Sequence, residues 1–560
     1  MSFGSLAEQG IAGIFAKKDV AKSASCVYIG QYINLSKFAG YTIIGLHEGW
    51  RGLGLFGKKS DHPMADLKSA QQLLKDVPRN DALKALMEIT DWIESVSDNA
   101  DFNLDQRLDV LSLLDESARP HMRKLVFDYF STLTLSQFQE NRAWMALNEF
   151  FTQIEQAYFK VLAGYCKGDK GGSTIKSSLP LVTARGIYAV MGRLKFAAAR
   201  YAQVDPAIWQ HLAEFYYHAE AQQYLHESVR LYSGAAQTTS VRDRFVSLLM
   251  WYAPGSSTFS PQNMHIAERL ATHFCRHFRV ETQLVSDSLF CFDLKQPAQL
   301  MRVMPETAAL PSVRFLSAGD VVPHIEALLK TLEKNIVPDE INLGGVYAAS
   351  AVRDVARHLA IYWSAPPPMR RNVRRPIKVN MNVAHGFANV VEHALTEQGN
   401  TASMTWAVED ISATGFRCVL PAKGADGVKI GSLIGIRPEN VGHRGAGIVR
   451  RLGRDGQNNL HVGVEILGKR VENVLLRAHG RTAVGGGQAA LWLVKPEDES
   501  GEICLLMNPD TFSMNVSLNT QFEGKRYLLI PLSLLEKGVD YDLARYRKVE
   551  EDADTAGEAY

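Results

Sequence analysis

From Asp61 to about residue 280, apolar side chains recur every three or four positions, the spacing of helices that bury one face. "ADLKSAQQLLKDV", "DALKALMEITDWIESV" and "NLDQRLDVLSLLDES" show it within the first sixty residues of this region. Pro63 stands in the opening turn of the first stretch and Pro78 just past its end, where proline starts and stops helices. Longer amphipathic stretches follow at 135–165, 182–202, 206–233 and 261–279. Trp209, Leu212, Ala213 and Tyr216 reproduce the first-helix pattern of a tetratricopeptide unit, but no second copy stands near the required 34-residue spacing. The pattern predicts helix pairs packed in a bundle or short solenoid.

Between 281 and 365 the pattern is mixed. "SLFCFDL" and "SVRFLSA" predict strands, whereas "DVVPHIEALLKTLEKN" and "YAASAVRDVARHLAIYW" predict helices. Pro366, Pro367 and Pro368 then bar helix continuation and mark a domain boundary. Beyond them the period becomes two. "IKVNMNVAHG", "MTWAVEDISATGFRCVL", "GSLIGIRP", "GAGIVRRLG" and "LHVGVEIL" are short strands separated by Gly, Asn and Asp, as in a small antiparallel barrel. "AALWLVKP", "EICLLMN" and "RYLLIPL" continue the β pattern to about Lys548, and an acidic tail closes the chain. The expected organisation is a multidomain α plus β chain. A glycine-rich segment at 1–60 precedes a helical domain at 61–280 and a mixed connecting region at 281–365. A barrel at 366–470, a β extension or small β domain at 471–548 and a tail at 549–560 follow.

Charge narrows the function only locally. With 61 Lys and Arg against 60 Asp and Glu, no overall field draws the chain to nucleic acid or to a membrane surface. No apolar run approaches the roughly 20 residues that span a bilayer, and the start lacks the order of a secretory signal. Six scattered cysteines without a CxxC pair fit a reducing cytoplasm. "GLGLFGKK" (52–59) nearly spells a phosphate-binding loop, but Lys59 stands where a metal-binding hydroxyl belongs. "HFCRH" places His273, Cys275 and His277 in different directions on a helix, and His211, His218 and His226 match no metal-binding spacing. No metal site and no catalytic arrangement is read from these residues, so no enzyme activity is expected.

One segment stands out against that balance. "MRRNVRRPIKVN" (369–380) holds Arg370, Arg371, Arg374, Arg375 and Lys378, and no acidic residue occurs from Val355 to Val391. Guanidinium groups offer paired donors that suit phosphate oxygens and the O6–N7 edge of guanine. Some 35 residues later comes "DISATG". Asp410 and Ser412, two apart on a strand, face one side. That carboxylate can accept from guanine N–H groups, and Gly415 permits a turn and a close approach of backbone.

An RxxxR element leading into a first strand, followed by DxSxxG, resembles the PilZ domain, a family of bacterial receptors for cyclic di-GMP. Arg370 with Arg374 is the preferred pairing, because it puts Ile377, Val379 and Met381 at the family's apolar strand positions; Arg371 and Arg375 form an overlapping pair. "VGVEIL" (462–467) resembles the family's closing strand. The resemblance spans roughly 366–470 and implies cyclic di-GMP as the ligand, with no further cofactor. The expected binding set is Arg370, Arg371, Arg374, Arg375, Asp410, Ser412 and Gly415. The expected function is a cytoplasmic effector in which the ligand orders the arginine-rich hinge loop and changes the geometry of a helical, partner-binding module. No membrane insertion and no polymeric nucleic acid partner are expected. The alternative is an interaction scaffold whose PilZ-like fold is degenerate and does not bind.

Overall fold

The structure, a computed structural model, describes residues 61–551 except 132–134, 366–367, 369–371, 396–403, 424, 426, 440–443, 481–486 and 495–500. The glycine-rich stretch at 52–59, Pro366, Pro367, Arg370 and Arg371 therefore lie outside the described residues.

Among the described residues, eight α-helices come first: α1 (Leu67–Asp76), α2 (Ala82–Asp98), α3 (Leu104–Ser131), α4 (Gln137–Lys167), α5 (Leu179–Ala199), α6 (Pro206–Ala221), α7 (Val241–Tyr252) and α8 (Pro261–Phe274). Their starts follow from local chemistry. Asp66, Asp81, Asp205, Ser136, Ser240 and Ser260 each accept a hydrogen bond from an otherwise unpartnered first-turn amide, and Pro206 and Pro261 stand at the first helical position. The periodicity at 206–233 overshoots, for α6 ends at Ala221. Beyond it an irregular segment is held by one β-bridge between Val229 and Thr239. Tyr224 and Tyr232 continue the apolar spacing because both are buried by tertiary contacts, Tyr224 on Thr183 and Tyr232 on Asp115, and not because the chain is helical there.

A four-stranded antiparallel sheet follows, from β1 (Arg279–Glu281), β2 (Ser288–Asp293), β3 (Met301–Arg302) and β4 (Val313–Ser317), in the order β1-β4-β2-β3. Two helices, α9 (Val321–Glu333) and α10 (Ala349–Trp363), complete this part. Phe290, Phe292, Leu316, Ile325, Leu359 and Trp363 share one continuous apolar core with α1–α8.

The remaining strands close two six-stranded barrels. The first comprises β5 (Arg375–His385), β6 (Met404–Ser412), β7 (Gly415–Leu420), β8 (Leu433–Pro438), β9 (Gly445–Arg454) and β10 (Leu460–Gly468), paired β10-β7-β6-β5-β8-β9 with β9 returning to β10. A helix absent from the sequence expectation, α11 (Phe387–Leu395), is inserted between β5 and β6. Period-two alternation sends Met381, Val383, Trp406, Val408, Phe416, Cys418, Val462 and Val464 into the interior. Val379 departs from its expected apolar position and is 42% exposed. It precedes the stretch of β5 that pairs with β8, which begins at Met381, so one flank has no strand to cover it.

The second barrel uses β11 (Arg470–Ala478), β12 (Gln488–Val494), β13 (Glu502–Met507), β14 (Leu518–Phe522), β15 (Lys525–Lys537) and β16 (Asp542–Glu550), in the order β11-β12-β13-β16-β15-β14. The expected extension is thus a complete barrel with its own core of Val474, Leu476, Trp492, Leu505, Leu529 and Tyr546. A third apolar cluster joins the barrels, with Phe387, Val390, Leu433 and Ile448 meeting Val471, Leu493, Leu506 and Tyr541. Arg450 of β9 also bonds both carboxylate oxygens of Glu536 on β15, at 2.7 and 2.6 Å.

The β9–β10 end of the first barrel meets the helical part. The Arg454 amide donates to the Tyr201 carbonyl at 2.7 Å, and the Tyr201 ring packs against both cores. At the end of the proline triplet, Arg302 donates to the Pro368 carbonyl at 3.1 Å.

Inside the helical core, Lys195 sits between His265 Nδ1 at 2.6 Å and Glu268 at 2.7 Å, while His265 Nε2 reaches the Leu343 carbonyl at 3.0 Å. The ammonium can only donate to Nδ1, so the ring fits as a neutral Nε2–H tautomer. Burial, with Lys195 and Arg269 adding to it and Glu268 opposing, pushes His265 down to about 3 from 6.5. The unfolded chain therefore takes up a proton below about pH 6.5 that the folded chain refuses until about pH 3. Folding stability from urea titrations should fall across that window by up to about 1.4 kcal/mol per pH unit for this one proton. His265→Gln, which preserves an acceptor and a donor, should flatten the slope; an unchanged slope would assign the dependence elsewhere.

Candidate functional site

The sequence singles out two segments 36 residues apart, and the pairing of β5 with β6 brings them together. Arg375 lies opposite Ile411 and Pro376 opposite Asp410. Arg374, just before β5, donates from Nη1 to Asp410 Oδ1 at 2.8 Å. Asn372 reaches the Thr414 hydroxyl at 3.3 Å, so the basic segment lies along the β6–β7 turn. Sequence reasoning left these arginines without a local carboxylate; the fold supplies one from the neighbouring strand. Arg375 and Lys378 are exposed, and Arg375 makes no ion pair among the described residues. Arg374 and Asp410 are brought together, whereas Arg370 and Arg371 lie outside the described residues.

The turn residues have partners within the barrel. The Ser412 hydroxyl donates to the Gly415 carbonyl at 3.0 Å, so in this state it closes the turn. Gly415 does not have a positive φ, and conformational freedom is not why it is glycine. A Cβ there would lie 2.2 Å from the Val464 carbonyl oxygen, so the close approach of β7 to β10 excludes any side chain.

A residue missed in the sequence completes the cluster. Arg417 pairs with Asp410 in the β6–β7 register and lies 2.7 Å from Glu409 Oε2 and 3.4 Å from Asp410 Oδ2. A bulge between Val408 and Asp410 lets two consecutive carboxylates reach one guanidinium. The signal was the alternation of "GFRCVL": Phe416, Cys418 and Leu420 point inward, which turns Arg417 outward onto the Asp410 face. Cys418 packs in the interior as expected, and burial pushes its thiol up to about 12, with Glu409 and Asp410 adding to the shift.

From Arg417 the charged groups continue around the barrel. His461 Nδ1 of β10 lies 3.4 Å from Glu409, and its Nε2 lies 3.3 Å from Asp455 in the β9–β10 turn. Asp455 accepts the amides of Gln457 and Asn459, both at 2.9 Å, which shapes that turn. The adjoining residue is Arg454, whose amide is bound to Tyr201 of the helical part. A chain of contacts therefore leads from the basic segment to the place where barrel and helices meet.

That junction also holds a cavity of about 480 Å³, lined by Tyr201, Trp209, Tyr252, Leu452 and Arg454 among others. None of the residues expected from sequence to bind the ligand lines it.

The helical part is similar to a known family. The family described as the cyclic-di-GMP receptor FimW, N-terminal domain, matches residues 68–284. The match covers α1–α8 and stops before the barrel that carries Arg374 and Asp410. No curated protein matches the chain. Among the described residues, no helix is long and apolar enough to cross a membrane.

The glycine contact is testable. Gly415→Ala should force β7 and β10 apart and cost about 1–3 kcal/mol, the usual range for overfilling a packed site. Denaturant unfolding of the two proteins would measure it, and an unchanged midpoint would show that β7 has room for a methyl group.

Proposed function

We propose that the protein is a cytoplasmic, non-enzymatic receptor for cyclic di-GMP, whose PilZ-like first barrel holds the ligand between the segment before β5 and the Asp410 end of β6. The observation that carries this reading is the meeting of Arg374 with Asp410, with Arg417 on the same carboxylate. Two planar cations and an acceptor at one barrel rim match a ligand made of two phosphates and two guanines. A guanidinium that leaves Asp410 can take phosphate oxygens or the guanine O6–N7 edge, and the carboxylate it releases can accept guanine N–H groups. Exposed Arg375 and Lys378, with Arg370 and Arg371 next to them in sequence, add positive charge for the second phosphate. The similarity of 68–284 to the N-terminal domain of a cyclic-di-GMP receptor supports the same assignment from the other half of the chain.

The output follows from what Arg374 and Asp410 touch. Ligand capture breaks their mutual contact, changes the load on Arg417 and Glu409, and bears on His461, Asp455 and the β9–β10 turn. That turn meets the helical part through Arg454 and Tyr201. The ordered basic segment acts on the same relationship through Pro368 and Arg302. The helical part is the surface offered to a protein partner.

Isothermal titration of the full chain with cyclic di-GMP, GTP and cyclic di-AMP tests the reading. Saturable heat is expected with cyclic di-GMP alone, and Arg374→Ala should weaken it by about fivefold to 150-fold, in line with the about 1–3 kcal/mol of a bidentate guanine contact. Absence of heat at micromolar protein would remove the proposal. The scaffold reading draws on the same Arg374–Asp410 contact, which satisfies the arginine without a ligand, and it predicts identical partner binding with and without the nucleotide.

A further inference from the structure

The "HFCRH" segment lacked a carboxylate partner in the sequence, and the fold provides one. His277 ends a short 3-10 turn (Cys275–His277) that extends α8. Asp320 and His324 stand at the start of α9, four residues apart and so on one helical face. The three side chains converge, each offering a ligand atom, and those atoms all lie within 4.8 Å of one another.

We infer that His277, Asp320 and His324 form a binding site for one divalent transition-metal ion of the zinc class, on the helical part and separate from the nucleotide reading. Asp320 Oδ1 lies 3.2 Å from His277 Nδ1, and Asp320 Oδ2 lies 3.4 Å from His324 Nε2. Ligands about 2.0–2.2 Å from a tetrahedral zinc ion are roughly 3.3–3.6 Å from each other, so the two Asp–His separations suit the ion, and the histidine nitrogens lie within 4.8 Å of each other. Neutral imidazoles can move their proton to the outer nitrogen and turn a lone pair toward the metal. His277 is half-buried while Asp320 and His324 are exposed, which leaves a side open for water as the fourth ligand.

Two independent features indicate that Asp320 is placed for its neighbours and not for its helix. It occupies the N-cap of α9 yet makes no side-chain capping bond, whereas Asp66, Asp81 and Asp205 all cap at the corresponding position. Its backbone is also pressed against His277, with the Asp320 amide donating to the His277 carbonyl at 3.2 Å. Gly319 makes this approach possible: its φ is +57, and a Cβ would lie 2.1 Å from that same carbonyl oxygen. The surroundings suit a cation. The carbonyl end of α8 favours positive charge while the N-terminus of α9 opposes it, so the full negative charge of the Asp320 carboxylate decides the balance. The His277 and His324 rings pack against each other, 3.8 Å apart between centroids, and binding an ion would fan them apart as their nitrogens turn toward it. His273, one turn earlier, is close enough to feel both rings and Glu340, and is not one of the three converging groups. Bound metal would clip α9 to the end of α8.

The test uses the full chain, freed of metal by chelator and titrated with zinc chloride. Asp320→Ala and His324→Ala should each bind one equivalent fewer than wild type, whereas His273→Ala should bind the full number. Cobalt(II) should give wild type visible d–d absorption that both variants reduce. Zinc should raise the wild-type melting temperature more than that of either variant, while the chelator-treated proteins melt alike, showing intact folds. Equal zinc stoichiometry and affinity in wild type and both variants, or no zinc uptake by wild type at tens of micromolar, would overturn the assignment.

Discussion

Closure of the first barrel by β10 is the constraint on which the arrangement of the candidate site depends. β10 hydrogen-bonds to β7 on one side and β9 on the other, so the sheet has no open edge and its strands have fixed neighbours. That pairing presses Gly415 against the Val464 carbonyl and holds in the ring the β6–β7 pair that sets Arg417 beside Asp410. It also brings His461 to Glu409 and carries the β9–β10 turn to Tyr201. The route from the rim cluster to the helices runs along this closed ring of backbone hydrogen bonds.

The two barrels differ from beads on a string. Their interiors are separate, but Phe387, Val390, Leu433 and Ile448 on one and Leu493, Leu506 and Tyr541 on the other bury a shared apolar layer. Arg450, bidentate on Glu536, adds a charged clasp beside it. By contrast, the helical part meets the first barrel through the Tyr201–Arg454 contact and around a cavity of about 480 Å³. A packed apolar layer resists sliding, because any shift opens voids, whereas a contact flanked by open space can be remade at lower cost. Change of shape is therefore expected between helices and barrel and not between barrel and barrel.

Much of this architecture was legible in the chain. Three- and four-residue spacing marks α1 to α5, and period two marks the strands from β5 to β10, because each element must bury one face and its geometry dictates which positions do so. The same logic explains the failures. Tyr224 and Tyr232 are buried by contacts from other elements and mimic helical spacing where there is no helix. The helix α11 follows β5 after only Gly386, and its apolar residues Phe387, Val390 and Val391 serve the inter-barrel layer, which sequence does not announce. β11 follows β10 after a single residue, so no turn signal separates the two barrels.

For the candidate site, sequence alone determined the residue types: a dense run of arginines, an Asp and Ser two apart on a strand, and a glycine shortly after. Those are local chemical properties, and they bound what the site can hold. Which of them meet was decided by the tertiary structure, because the register of β5 on β6 and the bulge at Glu409–Asp410 depend on backbone bonds between distant segments. Arg417 entered the cluster, Gly415 became a point of strand contact and Asp320 came to face two histidines for that same reason. Side-chain chemistry is written residue by residue, but proximity exists only once strands and helices have packed.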